Sequence, residues 1–229
     1  MKQVDKAIFL HRIPYSESSL IVTLYTYNNG LQKMLFQGGK KKAAVLFPLA
    51  IGEITYYNRP ESTLGKLTAF EGSFPLQSIT SNPFKSSIVF FLAEIIQNCL
   101  RTEEKETTIF RFLEEVILSL ESATNISNFP VQFLIDFAEQ LGIQPHIEVE
   151  NGRYFNLNEG VIGNLSNTGD VLVQGPIVEA IHQQLTTGEC YLNGALRKDL
   201  LSVMLQYYQM HIPQFKDLKT LEIVREILE

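Results

Sequence analysis

The residues best suited to a chemical task form a short glycine–lysine run. Gln37–Gly39 is followed directly by Lys40, Lys41 and Lys42. Two glycines release the backbone from steric limits, and three successive ammonium groups then share one short connection. Flexible ammonium groups neutralise phosphates without requiring a particular sequence. The run therefore indicates contact with a polyanion such as a nucleic-acid backbone, although a solvated surface loop has the same composition.

Aromatic residues lie on or beside the same segments. They are Tyr15, Tyr25, Tyr27, Phe36, Tyr56 and Tyr57. An exposed ring can stack on an unpaired base and contribute about 1–3 kcal/mol. Because side chains alternate between the two faces of a strand, only about half of these rings can point outward, and we expect most of them in the core.

Motifs for enzymatic catalysis are missing from the sequence. It contains no dinucleotide-binding, phosphate-loop, zinc-protease or nucleophile-elbow pattern. Cys99 falls on the apolar face of a predicted helix, and Cys190 has no histidine paired with it. The chain is therefore predicted to be a binding protein rather than an enzyme, and no cofactor is expected.

Two acidic groups are candidates for a metal or catalytic site. His146 with Glu148 and Glu150 could ligate a metal, but a polar loop after a helix is the favoured interpretation. Glu103–Glu106 suits a polar helix start, where acids complement the helix dipole. A hydrolase or nuclease would need carboxylates clustered around a metal, and neither group favours one.

The first seventy residues must position the basic run, and they are predicted to form strands. Apolar or β-branched stretches occupy 7–13, 20–27, 31–37, 47–57 and 65–70. Asn28–Gly30 is a strong hairpin turn between the second and third stretches. About five short strands at this spacing predict a small barrel or sandwich.

Helical periodicity begins after Pro75. Predicted helices cover 84–100, 107–120, a third segment through Phe133 that ends near Gly142, 176–185, 197–210 and 219–228. A small hairpin-like insert is expected near 150–175. The predicted fold class is α+β, with one domain at 1–75 and a mainly helical domain at 80–229.

The net charge of the chain conceals an uneven distribution. The 229 residues carry a formal charge of −6, from 19 basic and 25 acidic residues. Residues 1–72 hold nine of the bases and five of the acids, a net of +4, and the remainder holds −10. The asymmetry indicates two modules with different partners, the first of them suited to a polyanion.

Composition narrows the cellular setting. No apolar stretch is long enough to cross a bilayer, and Asp5 and Lys6 stand where a signal peptide needs apolar residues. Two cysteines cannot build a disulfide framework. A cytoplasmic protein without a membrane partner is therefore expected.

Taken in order, several segments resemble the bacterial DNA repair protein RecO family. They are Lys6–Arg12, Tyr15–Thr26, Gly30, the basic loop Gly38–Lys42, Phe47–Leu49, Leu141–Gly142, Tyr154–Gly160 and Leu218–Ile223. Their order and spacing carry the resemblance over essentially the whole chain.

The resemblance implies an N-terminal OB-fold barrel and a helical C-terminal domain. It also implies a nucleoid-associated recombination mediator that binds single- and double-stranded DNA and anneals complementary strands. Such proteins act with RecR and the C-terminal tail of SSB, and through them help to load RecA. The positions that match for DNA contact are Arg12, Lys33, Lys40, Lys41 and Lys42. No residues can be named for the SSB-tail pocket. The alternative is a non-enzymatic scaffold whose barrel binds protein.

The sequence departs from the family pattern in one respect. Many family members place four cysteines around the segment that matches Leu141–Asp170, where they form a zinc site. This chain has no cysteine there. We therefore expect a metal-free variant in which Tyr154, Phe155 and Leu157 pack the insert by hydrophobic contact.

Overall fold

The computed structural model describes residues 2–41, 45–58, 64–100, 106–164, 166–188 and 192–227. The chain divides into two compact units, Met1–Ala123 and Thr124–Glu229. Strands give way to helices between residues 73 and 77, close to the predicted domain boundary, but the next three helices belong to the first compact unit. Strands followed by helices and a second small sheet make the fold α+β, as predicted.

Five strands form the sheet of the first unit. They are β1 (Lys2–Pro14), β2 (Leu20–Thr26), β3 (Gly30–Phe36), β4 (Ile51–Tyr57) and β5 (Gly65–Gly72). The sheet closes into a barrel in the order β1-β2-β3-β5-β4, and β1 pairs with both β2 and β4. All neighbours are antiparallel except β3 and β5, which run parallel. The five predicted strands are thereby confirmed.

Alternate side chains of the strands build the barrel core. On β2, Leu20, Val22 and Leu24 point inward and are buried. They pack with Met34 of β3 and Ile54 of β4 in one apolar cluster. Because the period of a strand is two, the residues between these positions are placed on the outer face.

In the part of the first unit that the structure describes, the helices are α1 (Gln77–Ser81), α2 (Pro83–Cys99) and α3 (Thr107–Ser122). The Asn82 side chain caps α2 by accepting hydrogen bonds from the backbone N–H groups of Phe84 and Lys85. α2 and α3 were predicted, whereas the five-residue α1 was not. The Glu121 carboxylate accepts hydrogen bonds from two backbone N–H groups of α1, an interaction between segments distant in sequence.

Among its described residues, the second unit has four helices and a four-stranded sheet. The helices are α4 (Phe129–Gln140), α5 (Pro176–Thr187), α6 (Gly194–His211) and α7 (Leu221–Ile227), all of which were predicted. Gly142 follows α4 in the left-handed region with φ of 71°, as expected of a residue that ends a helix. The Tyr208 hydroxyl of α6 donates to the carbonyl oxygen of Leu134 in α4 at 2.8 Å.

The insert is larger than the predicted hairpin. Its strands are β6 (His146–Ile147), β7 (Tyr154–Asn156), β8 (Val161–Gly163) and β9 (Leu172–Gln174), in the order β6-β8-β7-β9. Phe155 and Leu157 are fully buried, and the Phe155 ring lies 5.4 Å from the ring of Tyr207 in α6. Tyr154 is only half-buried. Hydrophobic contact therefore packs one face of the insert.

A carboxylate also ties the loops of the insert together. Asp170 Oδ2 accepts hydrogen bonds of 2.7 Å from Asn156 Nδ2 and from the backbone N–H of Asn167. The Asn158 side chain accepts another from the backbone N–H of Val171 at 2.8 Å. These polar bonds connect the β7–β8 turn to the segment that leads into β9.

Within the residues described, none of the helices is long and apolar enough to cross a membrane.

Candidate nucleic-acid interface

Lys33 lies on the outer face of the barrel. Its strand, β3, pairs with β2 so that Lys33 lies opposite Thr23. Thr23 in turn lies opposite His11 of β1. Residues opposite each other in a ladder point to the same face. His11, Thr23 and Lys33 therefore form one cross-strand row, with Lys33 exposed at its end.

The glycine–lysine loop follows β3 directly. Gly38 adopts a φ of 68°, which favours glycine, and the backbone N–H of Lys41 donates to the Gly38 carbonyl at 3.1 Å. A Cβ atom on Gly39 would lie 2.8 Å from Phe36 Cδ1, so this glycine allows the loop to fold back on the core. The resulting turn leaves the side chains of Lys40 and Lys41 exposed.

The basic loop is bonded to the connection between β1 and β2. The backbone N–H of Lys40 donates to the Ser18 carbonyl at 3.3 Å, and that of Tyr15 donates to the Ser19 carbonyl at 3.1 Å. Tyr15 is 62% exposed. Two lysines and one accessible ring are therefore positioned on two adjoining loops.

Arg12 does not join the row of Lys33. A register shift between Phe9 and His11 places Arg12 opposite Val22, whose side chain belongs to the core. Arg12 is nevertheless exposed, because the pairing of β1 with β4 ends at Ile8 and the strand continues beyond it. Lys42 lies outside the described residues.

Most of the candidate aromatic residues are unavailable for stacking. Tyr25, Phe36 and Tyr56 are buried, and Tyr27 packs edge-on against Phe110 of α3 with ring centroids 5.4 Å apart. Tyr57 is 40% exposed. Three of the six rings are therefore buried, and only Phe36 and Tyr56 belong to the barrel core, fewer than expected.

Sequence reasoning missed Lys66. The parallel pairing of β3 with β5 brings Lys66 opposite Leu35, two residues from Lys33 on the same face. Its side chain is exposed. Since that pairing joins strands far apart in the sequence, only the alternation around Leu67 could have indicated an outward-facing base. Lys33, Lys40, Lys41 and Lys66 form no ion pair with any described residue, and we call these four residues the lysine face.

Lys6, another base of the barrel, is already engaged by a carboxylate. Lys6 Nζ contacts Glu114 Oε1 at 2.5 Å and lies 5.8 Å from the Phe110 ring centroid. The groove beside it has a volume of about 470 Å³ and is lined by both bases and acids, among them Arg111 and Glu53. Mixed charge makes this groove a poor match for a polyanion.

A buried carboxylate fixes the turn at the opposite end of the hairpin. Asp5 accepts hydrogen bonds from the side-chain amides of Asn28 at 2.9 Å and Asn29 at 3.0 Å. The same Asn29 amide donates to the Tyr56 hydroxyl at 3.0 Å. Burial raises the pKa of Tyr56, and the charge of Asp5 raises it further. This network is structural and holds β2 and β3 in register.

Metal ligands are not gathered in the part of the chain that the structure describes. No three histidine, cysteine or carboxylate side chains come together there in a way that could hold an ion. His146 belongs to β6, and Glu148 and Glu150 follow it on the exposed surface of the insert.

The described residues form two compact units, and the barrel of the first carries the lysine face. The family description "Recombination protein O N terminal" matches residues 1–75, and "Recombination protein O C terminal" matches residues 80–221. The chain therefore belongs to the recombination protein O family.

Several similar proteins extend this relationship over the full length. A protein of Christiangramia forsetii named DNA repair protein RecO is 32% identical over 97% of each chain. Proteins of the same name from Flavobacterium johnsoniae and Bacteroides fragilis are each 29% identical, over 99% and 100% of each chain.

Proposed function

We propose that this protein is a DNA repair and recombination mediator that binds single- and double-stranded DNA through its barrel. The single observation that carries the proposal is the lysine face, where four exposed ammonium groups surround one side and one rim of the barrel without a carboxylate partner among the described residues. Membership of the recombination protein O family supports the same role.

The barrel is proposed to be an OB-fold. The closed order β1-β2-β3-β5-β4 supports this assignment, as does the double pairing of β1. In OB-folds the outer face of the second and third strands and the adjoining loops bind oligonucleotides. Lys33 occupies that face, and Tyr15, Lys40 and Lys41 occupy loops beside it.

Annealing follows from charge neutralisation. Lysines that contact the sugar–phosphate backbone of one strand release counterions and reduce its repulsion of a second strand. Complementary strands can then approach and pair without covalent chemistry. Because lysine is a flexible point charge, the contact requires no particular base sequence. The proposed function is accordingly not enzymatic.

The proposed partners follow from the family. We propose that the protein acts in the cytoplasm, at the nucleoid, together with RecR and the C-terminal tail of SSB, and thereby helps to load RecA. Within the second compact unit, acids outnumber bases, which disfavours DNA contact and favours protein partners. No residues are assigned to the SSB-tail pocket.

A scaffold whose barrel binds protein is the alternative function. The exposed residues Ile13, on the outer face, and Tyr15, on the adjoining loop, favour it, since exposed apolar surface also marks protein interfaces. A scaffold would bind DNA with the same low affinity in the wild type and in variants of the lysine face.

Strand annealing with and without SSB tests the proposal. We expect the protein to accelerate pairing of complementary oligonucleotides, and to do so also when they are coated with SSB. A variant of SSB that lacks its C-terminal tail should block annealing of the coated strands only. Failure to anneal even bare strands would contradict the proposed function.

A further inference from the structure

Three apolar side chains on the outer face of the barrel lie among the residues of the lysine face. Ile13 of β1 pairs with Ile21 of β2, and Ile21 pairs with Leu35 of β3. Directly opposed residues share a face, so the three side chains form one row about 10 Å long. We call these three residues the apolar strip.

The strip is accessible to solvent. Ile13 is 47% exposed, and Ile21 and Leu35 are half-buried. By contrast, Tyr25, which is also on the outer face of β2, is buried against the Phe110 ring of α3 at 6.1 Å between centroids. A contiguous apolar row left accessible on the solvent face of a sheet is a mark of a binding surface.

Cations surround the strip on three sides. Lys33 lies two residues from Leu35 along β3, and Lys66 is the next residue in the same cross-strand row. Lys40 lies on the loop bonded to the β1–β2 connection, beyond Ile13 and Ile21. A ligand that covers this surface therefore needs apolar groups over the apolar strip and anionic groups beside the surrounding lysines.

We propose that the apolar strip distinguishes single-stranded from double-stranded nucleic acid. Unpaired bases expose planar apolar surface that can lie on Ile13, Ile21 and Leu35 while the phosphates contact the surrounding lysines. In a duplex the base faces are stacked inside the helix, so a duplex contacts the lysines alone. The inference rests on the proposed function and assigns the two DNA forms to different residues of one site.

The separation is tested with Ile13→Thr, alone and combined with Leu35→Thr. Threonine keeps the β-branched shape of Ile13 and introduces one that suits a strand at Leu35, and at both positions it removes apolar surface. Val4→Thr is the matched control, because Val4 is an outward-facing residue of the same strand, 53% exposed, at the opposite end of the barrel. Circular dichroism and thermal unfolding of each variant report on folding.

Binding is measured with a short oligothymidylate and with a mixed-sequence duplex of the same length. The expected loss of single-strand affinity is about fivefold to tenfold for Ile13→Thr, and larger for the double variant. Duplex affinity should stay unchanged, as should the dependence of either affinity on salt, because no phosphate contact is removed. Val4→Thr should match the wild type on both ligands.

Lys33→Glu provides the opposite pattern. This variant should lower the affinity for both ligands. It should also reduce the log–log slope of single-strand affinity against salt concentration by about 0.7. If the strip variants lose affinity equally for both ligands, or lose affinity for neither, the inference is overturned and the proposed function stays intact. Absence of binding by the wild type to both ligands would remove the proposed function and the inference together.

Discussion

The backbone N–H of Lys40 donates a hydrogen bond to the carbonyl oxygen of Ser18 at 3.3 Å. This bond joins the basic loop to the β1–β2 connection, on which Tyr15 is exposed. A cationic loop and an aromatic ring are thus held together by backbone contacts rather than by their own side chains. The side chains remain available to a ligand, as the proposed function requires.

The geometry of Gly39 makes the basic loop sensitive to a single methyl group. In Gly39→Ala the new Cβ would lie 2.8 Å from Phe36 Cδ1 and 2.9 Å from the Phe36 carbonyl oxygen. Since Phe36 is part of the barrel core and cannot easily move, we expect a loss of about 1–3 kcal/mol in the free energy of unfolding. Urea denaturation measures it.

Gly72 supplies the matched control for that substitution. It also lies in the barrel, but nothing lies within 4 Å of the position its Cβ would take. Gly72→Ala should therefore leave the free energy of unfolding unchanged or raise it slightly. Equal effects at the two glycines would contradict the close packing of the loop on Phe36.

Tyr15 and Tyr27 should have opposite roles. Tyr15→Ala is expected to weaken single-strand binding by about 1–3 kcal/mol with little effect on stability, because the ring is exposed. Tyr27→Ala is expected to lower stability, because the ring packs on Phe110, and to leave DNA affinity unchanged. Fluorescence anisotropy with a labelled oligonucleotide measures affinity. A larger affinity loss at Tyr27 than at Tyr15 would place the binding face elsewhere.

The local pattern of the sequence was sufficient for most elements of the fold. Alternating apolar residues around Asn28–Gly30 defined the β2–β3 hairpin, and helical spacing defined α2 through α7. The local pattern also gave the lysine loop, whereas Lys33 was named only through the family resemblance. They could not indicate the pairing of β3 with β5 that brings Lys66 beside Leu35, because no short-range signal specifies which distant strands meet.

Tertiary contacts also decided which aromatic residues are accessible. The strand pattern places Tyr25 on the outer face, where it could have stacked on bases. The structure covers it with Phe110, and its hydroxyl donates to the Glu106 carbonyl at 3.1 Å. The short strands β6 and β9 were missed for a related reason, since two or three residues carry too little pattern to identify a strand.

Alkaline pH should destabilise the second unit through Tyr207. Burial raises the pKa of Tyr207 from 10.0 to about 12, and its hydroxyl donates to the Ile143 carbonyl at 2.7 Å. As pH rises, the unfolded chain therefore loses this proton first. The contribution of the protonated Tyr207 hydroxyl to the free energy of unfolding is complete below pH 10 and is lost as pH rises towards 12.

Tyr207→Phe isolates that effect. The variant should lose about 1 kcal/mol of stability at neutral pH, because the Ile143 carbonyl loses its donor. Its stability should then fall less than that of the wild type between neutral pH and alkaline conditions. Parallel curves for the two proteins in denaturant titrations at several pH values would contradict the role assigned to Tyr207.

The insert of the second unit is predicted to stay folded without zinc. A chelator should leave the thermal midpoint of the wild type unchanged, whereas Asp170→Ala should lower stability by about 1–3 kcal/mol, because Asn156 and the backbone of Asn167 lose their acceptor. Differential scanning calorimetry measures both. Stoichiometric zinc in the purified protein would show the metal-free interpretation to be wrong.

The central claim is that the lysine face binds the phosphate backbone. Its most direct test is the affinity for a short single strand across a series of salt concentrations, for the wild type and for Lys40→Glu/Lys41→Glu. Arg153 is an exposed base in the second unit, and Arg153→Glu is the control because it makes the same change of charge at a residue outside the lysine face. We predict weaker binding by the double variant and a log–log salt slope reduced by roughly 1.4, since each lost single-strand phosphate contact contributes about 0.7. Unchanged affinity and slope in the double variant would contradict the claim.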